Sequence, residues 1–446
     1  MGFCIVPGHS GALAPEGDWF GPMALVQRIQ TYLSGRSNFA KNIAKVSAGQ
    51  IAVTLITMGA LPIVTRLYAP EHFGNLQLLL SVALSFSAVA ALKYETAIVL
   101  PAEREQSNQV AALSLVVLAG TTLVFGALVA LFGAPLLRFL NAEILVPWAG
   151  LVVVAFVWGG LIKVSQHALI AGGHFGSLSR NNAILVACTQ ATSIAYGLWR
   201  PEFLGLFLAQ FVGQFTGIFL AFRVAPIRFA GLTRSSLGKV AARYKKFPLV
   251  NSPGVLLNSL AAELPVFMLT KFFAMDVVGF YMVATRILNQ PMVIFGQSVS
   301  QVYLQSAAQE RQRGVQHLEA LYRSTLRRLA LAGLVPAAIV LGLAQPLISL
   351  VLGPEWREVG IYMQILMLGK YFNFITTPVS TTFSILDRQE VGVAVMVLSA
   401  VGRLGAMVAY SDSAESMLIA LSVATAVFSI VYNLAIYWVL AVERRR

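Results

Sequence analysis

The sequence predicts an all-α polytopic membrane protein of about twelve transmembrane helices built as two related halves. Three observations predict it. The chain of 446 residues is 57% hydrophobic and only 11% charged, with a mean hydropathy of +0.74, whereas a soluble domain carries about 25% charged residues. Its apolar residues fall into stretches of the roughly 20 residues that one helical span requires. A short phrase also occurs twice, as RLYAPEHFG at 66–74 and KFFAMDVVG at 271–279. Both copies begin with a cation (Arg66, Lys271), then carry an aromatic residue, an alanine, an acid and a glycine (Gly74, Gly279), each in the gap between two apolar stretches. Repeated halves in a membrane chain are a usual architecture of secondary transporters, with the substrate path between them.

The spans expected in order are 43–65, 75–93, 109–132, 146–170, 181–199 and 203–222, then 248–271, 277–304, 329–351, 360–385, 391–410 and 416–440. Residues 43–222 form the first six-helix bundle and 248–441 the second, joined by a basic linker at 223–247, with a basic tail at 442–446. Residues 1–42 precede the first span. Their first twenty are rich in Gly and Pro and lack the basic start and apolar core of a signal peptide. They read as a disordered tail or as translation from a start codon upstream of the native one. Residues 22–42 read either as an amphipathic helix lying on the membrane surface or as disorder. Cys4 and Cys188 provide neither a disulfide framework nor metal-ligand spacing.

A net charge of +13 raises the question of nucleic acid, and the distribution of charge answers against it. With twelve spans, 22 of the 32 Lys and Arg fall on the side of both termini and five on the other, the remaining five lying inside spans. By the positive-inside rule the first side is cytoplasmic. The basic loops are then a topology signal and a contact for anionic membrane lipids. Both termini are therefore expected to be cytoplasmic. Outward loops are short, so no extramembranous catalytic domain fits, and the chain is not expected to be an enzyme.

Ionisable residues at the centre of a span cost about 2.5–3.5 kcal/mol each on insertion scales and therefore face a partner or a cavity. Here they lie on polar helix faces. Ser47, Gln50, Thr54 and Thr57 follow one face of span 1. Arg286, Gln290, Gln297, Gln301 and Gln305 do so in span 8, and Lys370, Asn373, Thr377, Thr381 and Ser384 in span 10. Ser252, Ser259 and Glu263 align in span 7. Residues at these spacings share a side of a helix. Interhelical hydrogen bonding explains any single Ser or Thr; the whole set together with Arg286 and Lys370 favours a water-accessible passage. Five cations lie in the spans (Lys93, Lys163, Arg286, Lys370 and Arg403) against the carboxylates Glu95 and Glu263. A cationic passage selects an anion: Arg grips phosphate bidentately and Lys acts as a point charge. With amides and hydroxyls alongside, this suits a phosphate-bearing glycan. Lys93 and Glu95 read as a structural ion pair, whereas Glu263 either neutralises a cation or binds a driving H+ or Na+. No other cofactor is expected.

TRLYAPEHFG at 65–74 and LKYETAIVLP at 92–101 resemble the first two spans of bacterial O-antigen and polysaccharide flippases, of the multidrug/oligosaccharidyl-lipid/polysaccharide exporter superfamily. KFPLVNSPGVLLNSLAAELPVFMLTKFF at 246–273, VGFYMVATRILNQP at 278–291 and SVSQVYLQSAAQ at 298–309 resemble that family's seventh and eighth spans. The resemblance is strongest over 43–110 and 240–310; elsewhere it rests on span count and loop length, and residues 1–40 have no counterpart. It implies two six-helix bundles around a central V-shaped cavity, opening alternately inward and outward. It also implies translocation of undecaprenyl-diphosphate-linked oligosaccharide for O-antigen, capsule or exopolysaccharide, with polysaccharide polymerase machinery as a partner. Onto this chain it carries Arg66 and Arg286 as diphosphate-binding candidates, with Lys93 and Glu95 from the KYE segment. Family members often have Arg where Lys93 stands, so the charge is kept and the fork geometry lost. Gln290, Gln297, Lys370, Asn373 and Arg403 are added by the polar faces and the intramembrane charges alone.

Two other classes compete. A small-molecule or multidrug exporter of the same superfamily should carry acids that bind cations, and span 1 has none. A membrane glycan polymerase, ligase or acyltransferase needs a catalytic constellation, and the one histidine near a span is His167.

Overall fold

Within a bilayer every backbone N–H and C=O must be satisfied inside the chain, so apolar stretches of this length become helices. The computed structural model of the protein describes residues 48–229 and 232–445, with backbone alone for 291, 293–298 and 301. The segment expected at 1–42 lies outside those residues. Twelve long helices follow one another among the described residues. The first six are α1 (Ala48–Leu67), α2 (Pro70–Ser87), α3 (Arg104–Phe139), α4 (Gly150–Ala171), α5 (Phe175–Trp199) and α6 (Phe203–Val224). The second six are α7 (Ser252–Phe272), α8 (Met275–Arg313), α9 (Val315–Leu352), α10 (Arg357–Thr376), α11 (Gln389–Ala409) and α12 (Ala414–Arg445). Eight of the twelve are long and apolar enough to cross a membrane by length and composition. The other four, α2, α5, α8 and α10, have the length but carry more polar residues, because they face other helices as well as lipid.

Several boundaries differ from the hydropathic expectation. Helices α8 and α9 run on past their apolar cores and meet at Gly314, whose φ of 133° only glycine adopts freely. Acid–base pairs one turn apart carry the helix beyond the apolar stretch: Glu310 with Arg313, and Glu319 with Arg323. Conversely, α2 stops at Ser87, and the chain turns through Leu92 and Lys93, both left-handed at φ 48° and 64°. Span 10 ends at Thr376, where Pro378 imposes a tight turn.

The two halves repeat each other's packing. In the first, α2 packs on α4, α3 on α4, α4 on α6 and α5 on α6. In the second, the same pairs recur six helices later: α8 on α10, α9 on α10, α10 on α12 and α11 on α12. Between the halves, α2 packs against α7 and α8.

The twice-written phrase forms the seal between them. A side chain at Gly74 would meet the Met275 carbonyl oxygen at 1.9 Å, and one at Gly279 would meet that of Pro70 at 1.9 Å. Pro70 and Met275 begin α2 and α8, so each glycine lets one helix lie on the first turn of the other. Four further hydrogen bonds cross the halves in two equivalent pairs. Arg66 Nη2 donates to the carbonyl of Val351 near the end of α9 (3.4 Å), and Lys271 Nζ to that of Phe139 at the end of α3 (2.5 Å). Trp356 Nε1 donates to the carbonyl of Thr65 (2.8 Å), and Asn141 Nδ2 to that of Lys271 (2.7 Å). Cations on C-terminal carbonyls also complement the helix dipole. The Trp356 ring is buried, edge-on to Phe73 at 5.1 Å and to Phe280 at 5.9 Å. All these contacts lie at the face opposite the one where Arg104, Arg313, Arg388 and Arg444 cluster, here termed the basic face.

On the basic face the linker is attached to the first half. Its short helix, Arg234–Arg243, is capped by Thr233. Asn108 and Arg228 exchange two hydrogen bonds (2.7 and 2.8 Å), and the Tyr94 hydroxyl donates to the Ala241 carbonyl at 3.3 Å. A wide turn, Phe247–Asn251, then leads into α7.

Overpacking a close contact costs about 1–3 kcal/mol, which shifts a two-state ratio by roughly 5- to 150-fold. Gly74→Ala and Gly279→Ala are therefore expected to open the seal. A cysteine placed at Ser81 should then react several-fold faster with an impermeant maleimide added from the sealed face. Labelling at the wild-type rate in both variants would show that the seal does not depend on this approach.

Candidate functional site

Arg286 lies eleven residues into α8, about 17 Å from the sealed face at 1.5 Å per residue, near the middle of a ~30 Å hydrocarbon core. Its side chain is half-buried and borders a small cavity of ≈ 20 Å³ between the halves. Thr57 of α1, Thr189, Gln190 and Ser193 of α5, and Gln210 of α6 supply the polar part of that cavity, and Leu61, Val64, Phe73, Leu76, Leu206 and Met282 the apolar part. Among the described residues, no carboxylate or other acceptor bonds the Arg286 guanidinium. A bilayer-level arginine without an ion-pair partner is costly, so its five N–H donors are held toward a polar space that ordinary packing does not need.

One turn further along α8, the chain adds two amides. Asn289 Oδ1 accepts from Lys370 Nζ of α10 at 2.7 Å. Gln290 Oε1 accepts from the Thr54 hydroxyl of α1 at 3.2 Å, across the interface. Asn373 follows Lys370 toward the basic face, exposed, and accepts from Thr377 at 2.9 Å. Arg403 of α11 donates to its own helix at Ser399 (3.2 Å) and lies near enough to Lys370 for the two charges to repel. The turn 286–290 therefore joins a cation facing the first half to cations of the second.

Glu263 of α7 closes onto the other half. The Ser81 hydroxyl of α2 donates to its Oε2 at 2.5 Å, and Gln77 Nε2 donates to Ser81 at 3.0 Å. Among the described residues, this is the polar contact between the halves that carries a carboxylate. On the basic side of Thr54 and Gln290, no hydrogen bond among the described residues joins α1 or α2 to α7 or α8.

Three of the expected residues lie elsewhere. Arg66 is not in this group: it sits at the sealed face, engaged with Val351 as described above. Lys93 and Glu95 lie at the basic end of α2 and pair with each other at 3.1 Å. Glu95 is buried there, and Lys163 of α4 donates nearby to the Ser87 carbonyl at 2.8 Å. The side chain of Gln297 lies outside the described residues. Conversely, Ser81, Asn289, Gln190 and Gln210 belong to the site and are not among the residues expected from the sequence. Gln190 and Ser193 are one turn apart in span 5, the same spacing that marks the other polar faces. Ser81 shares a four-residue spacing with Gln77 and Ser85 in span 2.

A family model described as polysaccharide biosynthesis protein matches residues 63–360. No curated protein matches the sequence. Among solved structures, the fold is similar to an inward-facing multidrug resistance MATE family transporter of the MOP superfamily. That likeness has a TM-score of 0.65 at 13% identity and covers 90% of this chain and 95% of the other. It is also similar to the lipid II flippase MurJ in an inward closed conformation, with a TM-score of 0.62 at 15% identity, over 86% of this chain and 87% of the other. These likenesses identify the two-lobed twelve-helix fold of membrane transporters, and the family match extends over well more than half of the sequence. The chain belongs to the polysaccharide biosynthesis protein family.

Proposed function

We propose that the protein is a flippase that carries undecaprenyl-diphosphate-linked oligosaccharide repeat units from the cytoplasmic to the periplasmic leaflet of a bacterial inner membrane, by alternating access and without covalent chemistry. The observation that carries this reading is Arg286: a guanidinium near mid-bilayer between the two halves, bordered by hydroxyls and amides and bonded by no acceptor among the described residues. Its planar fork matches a diphosphate. Lys370, one turn away through Asn289, adds a point charge, and Gln290, Asn373 and Arg403 extend the polar surface toward sugar hydroxyls. The polyprenyl tail stays in lipid. The basic face, with both termini, is cytoplasmic on this reading, and the glycine seal closes the periplasmic end.

Hydrogen bonds to charged groups contribute about 1.5–3 kcal/mol, so Arg286→Ala is expected to lower translocation at equal expression by roughly 10- to 100-fold. Arg286→Lys should lose less, since the charge remains and only the fork is removed. Mass spectrometry of polyprenyl-diphosphate glycans, with periplasmic access of the sugars tested in parallel, measures this. Undiminished translocation by Arg286→Ala removes the role. Loss of the gene should leave complete repeat units stranded on the cytoplasmic face, and unchanged lipid-linked pools would argue for a different cargo.

Glu263 is the candidate for ion coupling, because it is a carboxylate bonded across the moving interface. Glu263→Gln keeps an acceptor for Ser81 and removes the charge. In proteoliposomes, transport by this variant should no longer respond to an imposed H+ or Na+ gradient. A wild-type response would assign Glu263 to the seal alone. The same carboxylate is what a small-cation exporter would use, and deletion or overexpression that alters drug sensitivity while leaving glycan pools intact would favour that second reading.

A further inference from the structure

A cavity of ≈ 720 Å³ lies on the basic face, outside the cleft, between the first turns of α9 and the end of α12. Four arginines border it, Arg323, Arg327, Arg328 and Arg444, with Glu319 as the one carboxylate in its lining. That carboxylate is already engaged: Arg323 bonds it one turn along α9, and Arg444 Nη1 stands 3.8 Å from its other oxygen. Arg323 also lies over the Tyr437 ring at 5.7 Å. Arg327 and Arg328 are exposed, and no acceptor among the described residues engages either. Two adjacent forks therefore point into a space of the size that holds a small ligand, with the local acid neutralised by other groups.

What lies above them decides the kind of ligand. Along the same stripe of α9, Leu331, Leu334 and Val335 follow Arg327 at helical spacing and are 58%, 52% and 64% exposed. The guanidinium groups thus stand at the edge of a bare apolar helix face that the bilayer covers. A soluble anion would have no use for that continuation, whereas an acyl chain follows it. The positive-inside rule accounts for arginines at this level but not for a cavity that collects four of them. We propose that this cavity binds the phosphodiester headgroup of an anionic phospholipid of the surrounding leaflet, with Arg327 and Arg328 gripping the phosphate and the acyl chain lying along Leu331, Leu334 and Val335. Basic pockets between membrane helices are suited to such headgroups. The site is separate from the cleft and does not depend on the cargo assigned to it.

The test is native mass spectrometry of the full chain purified in detergent and titrated with phosphatidylglycerol or with phosphatidylcholine of the same acyl composition. Wild type is expected to retain phosphatidylglycerol about tenfold better or more. Arg327→Ala with Arg328→Ala should bring it down to the phosphatidylcholine level at unchanged helicity, and the double lysine variant should fall between. Inorganic phosphate in excess should leave the lipid in place. Equal retention of the two lipids by wild type, or full retention of phosphatidylglycerol by the alanine variant, overturns the site. Displacement by inorganic phosphate overturns the lipid assignment in favour of a soluble anion. If the alanine variant does not fold, the two wild-type comparisons decide alone.

Discussion

The close approach of α2 and α8 is the contact on which the rest of the structure depends. Two helices meet at their first turns with almost no side chain between them, because Gly74 and Gly279 supply none. The contact is self-complementary, as a two-fold interface must be, and it is written in one chain by repeating a phrase 205 positions apart. Everything nearby follows the same symmetry. The cation in the last turn of the first helix of each half, Arg66 or Lys271, reaches across to a C-terminal carbonyl of the other half. The residue after each third helix returns a donor, Asn141 or Trp356. A tight seal at one end leaves the polar faces of α1, α7, α8 and α10 to line whatever space the halves enclose.

Two kinds of contact between the halves coexist, and they differ in chemistry. At the sealed face they are glycines, rings and side-chain donors on backbone carbonyls. Deeper in, they are a carboxylate on a serine and an amide on a threonine. The first kind fixes where the halves meet. The second can be exchanged for water or for a ligand at little loss, because every group involved bonds equally well to either.

Much of this architecture is legible in the order of the residues. Twelve helices, two halves and the placement of Arg286, Lys370 and Glu263 within spans follow from hydropathy, from a repeated phrase and from the cost of charge in a bilayer. The rest is hidden for physical reasons. Loss of apolarity marks where a span ends, yet α8 and α9 continue on acid–base pairs that hydropathy scores as loop. Arg66 carries the right charge in the right phrase, but its distance along α1 puts it at the seal rather than in the cleft. Ser81 stands on a polar face of span 2 with Gln77 and Ser85 at four-residue spacing, but only the tertiary fold shows that its partner is Glu263. Trp356 lies in a short loop whose role depends on where the other half stands.

The linker's attachment has a mechanical consequence. Arg228 and Ala241 are hydrogen-bonded to the first half at Asn108 and Tyr94, so these points of the linker travel with it as ballast rather than as slack. The joint between the lobes narrows to the wide turn Phe247–Asn251, flanked by Pro253. The ten residues 242–251 between Ala241 and α7, pulled straight, reach at most about 36 Å. The chain thus carries its own tether of fixed length on the basic face, and the width of the mouth along that edge has a ceiling set by covalent geometry, whatever passes through it.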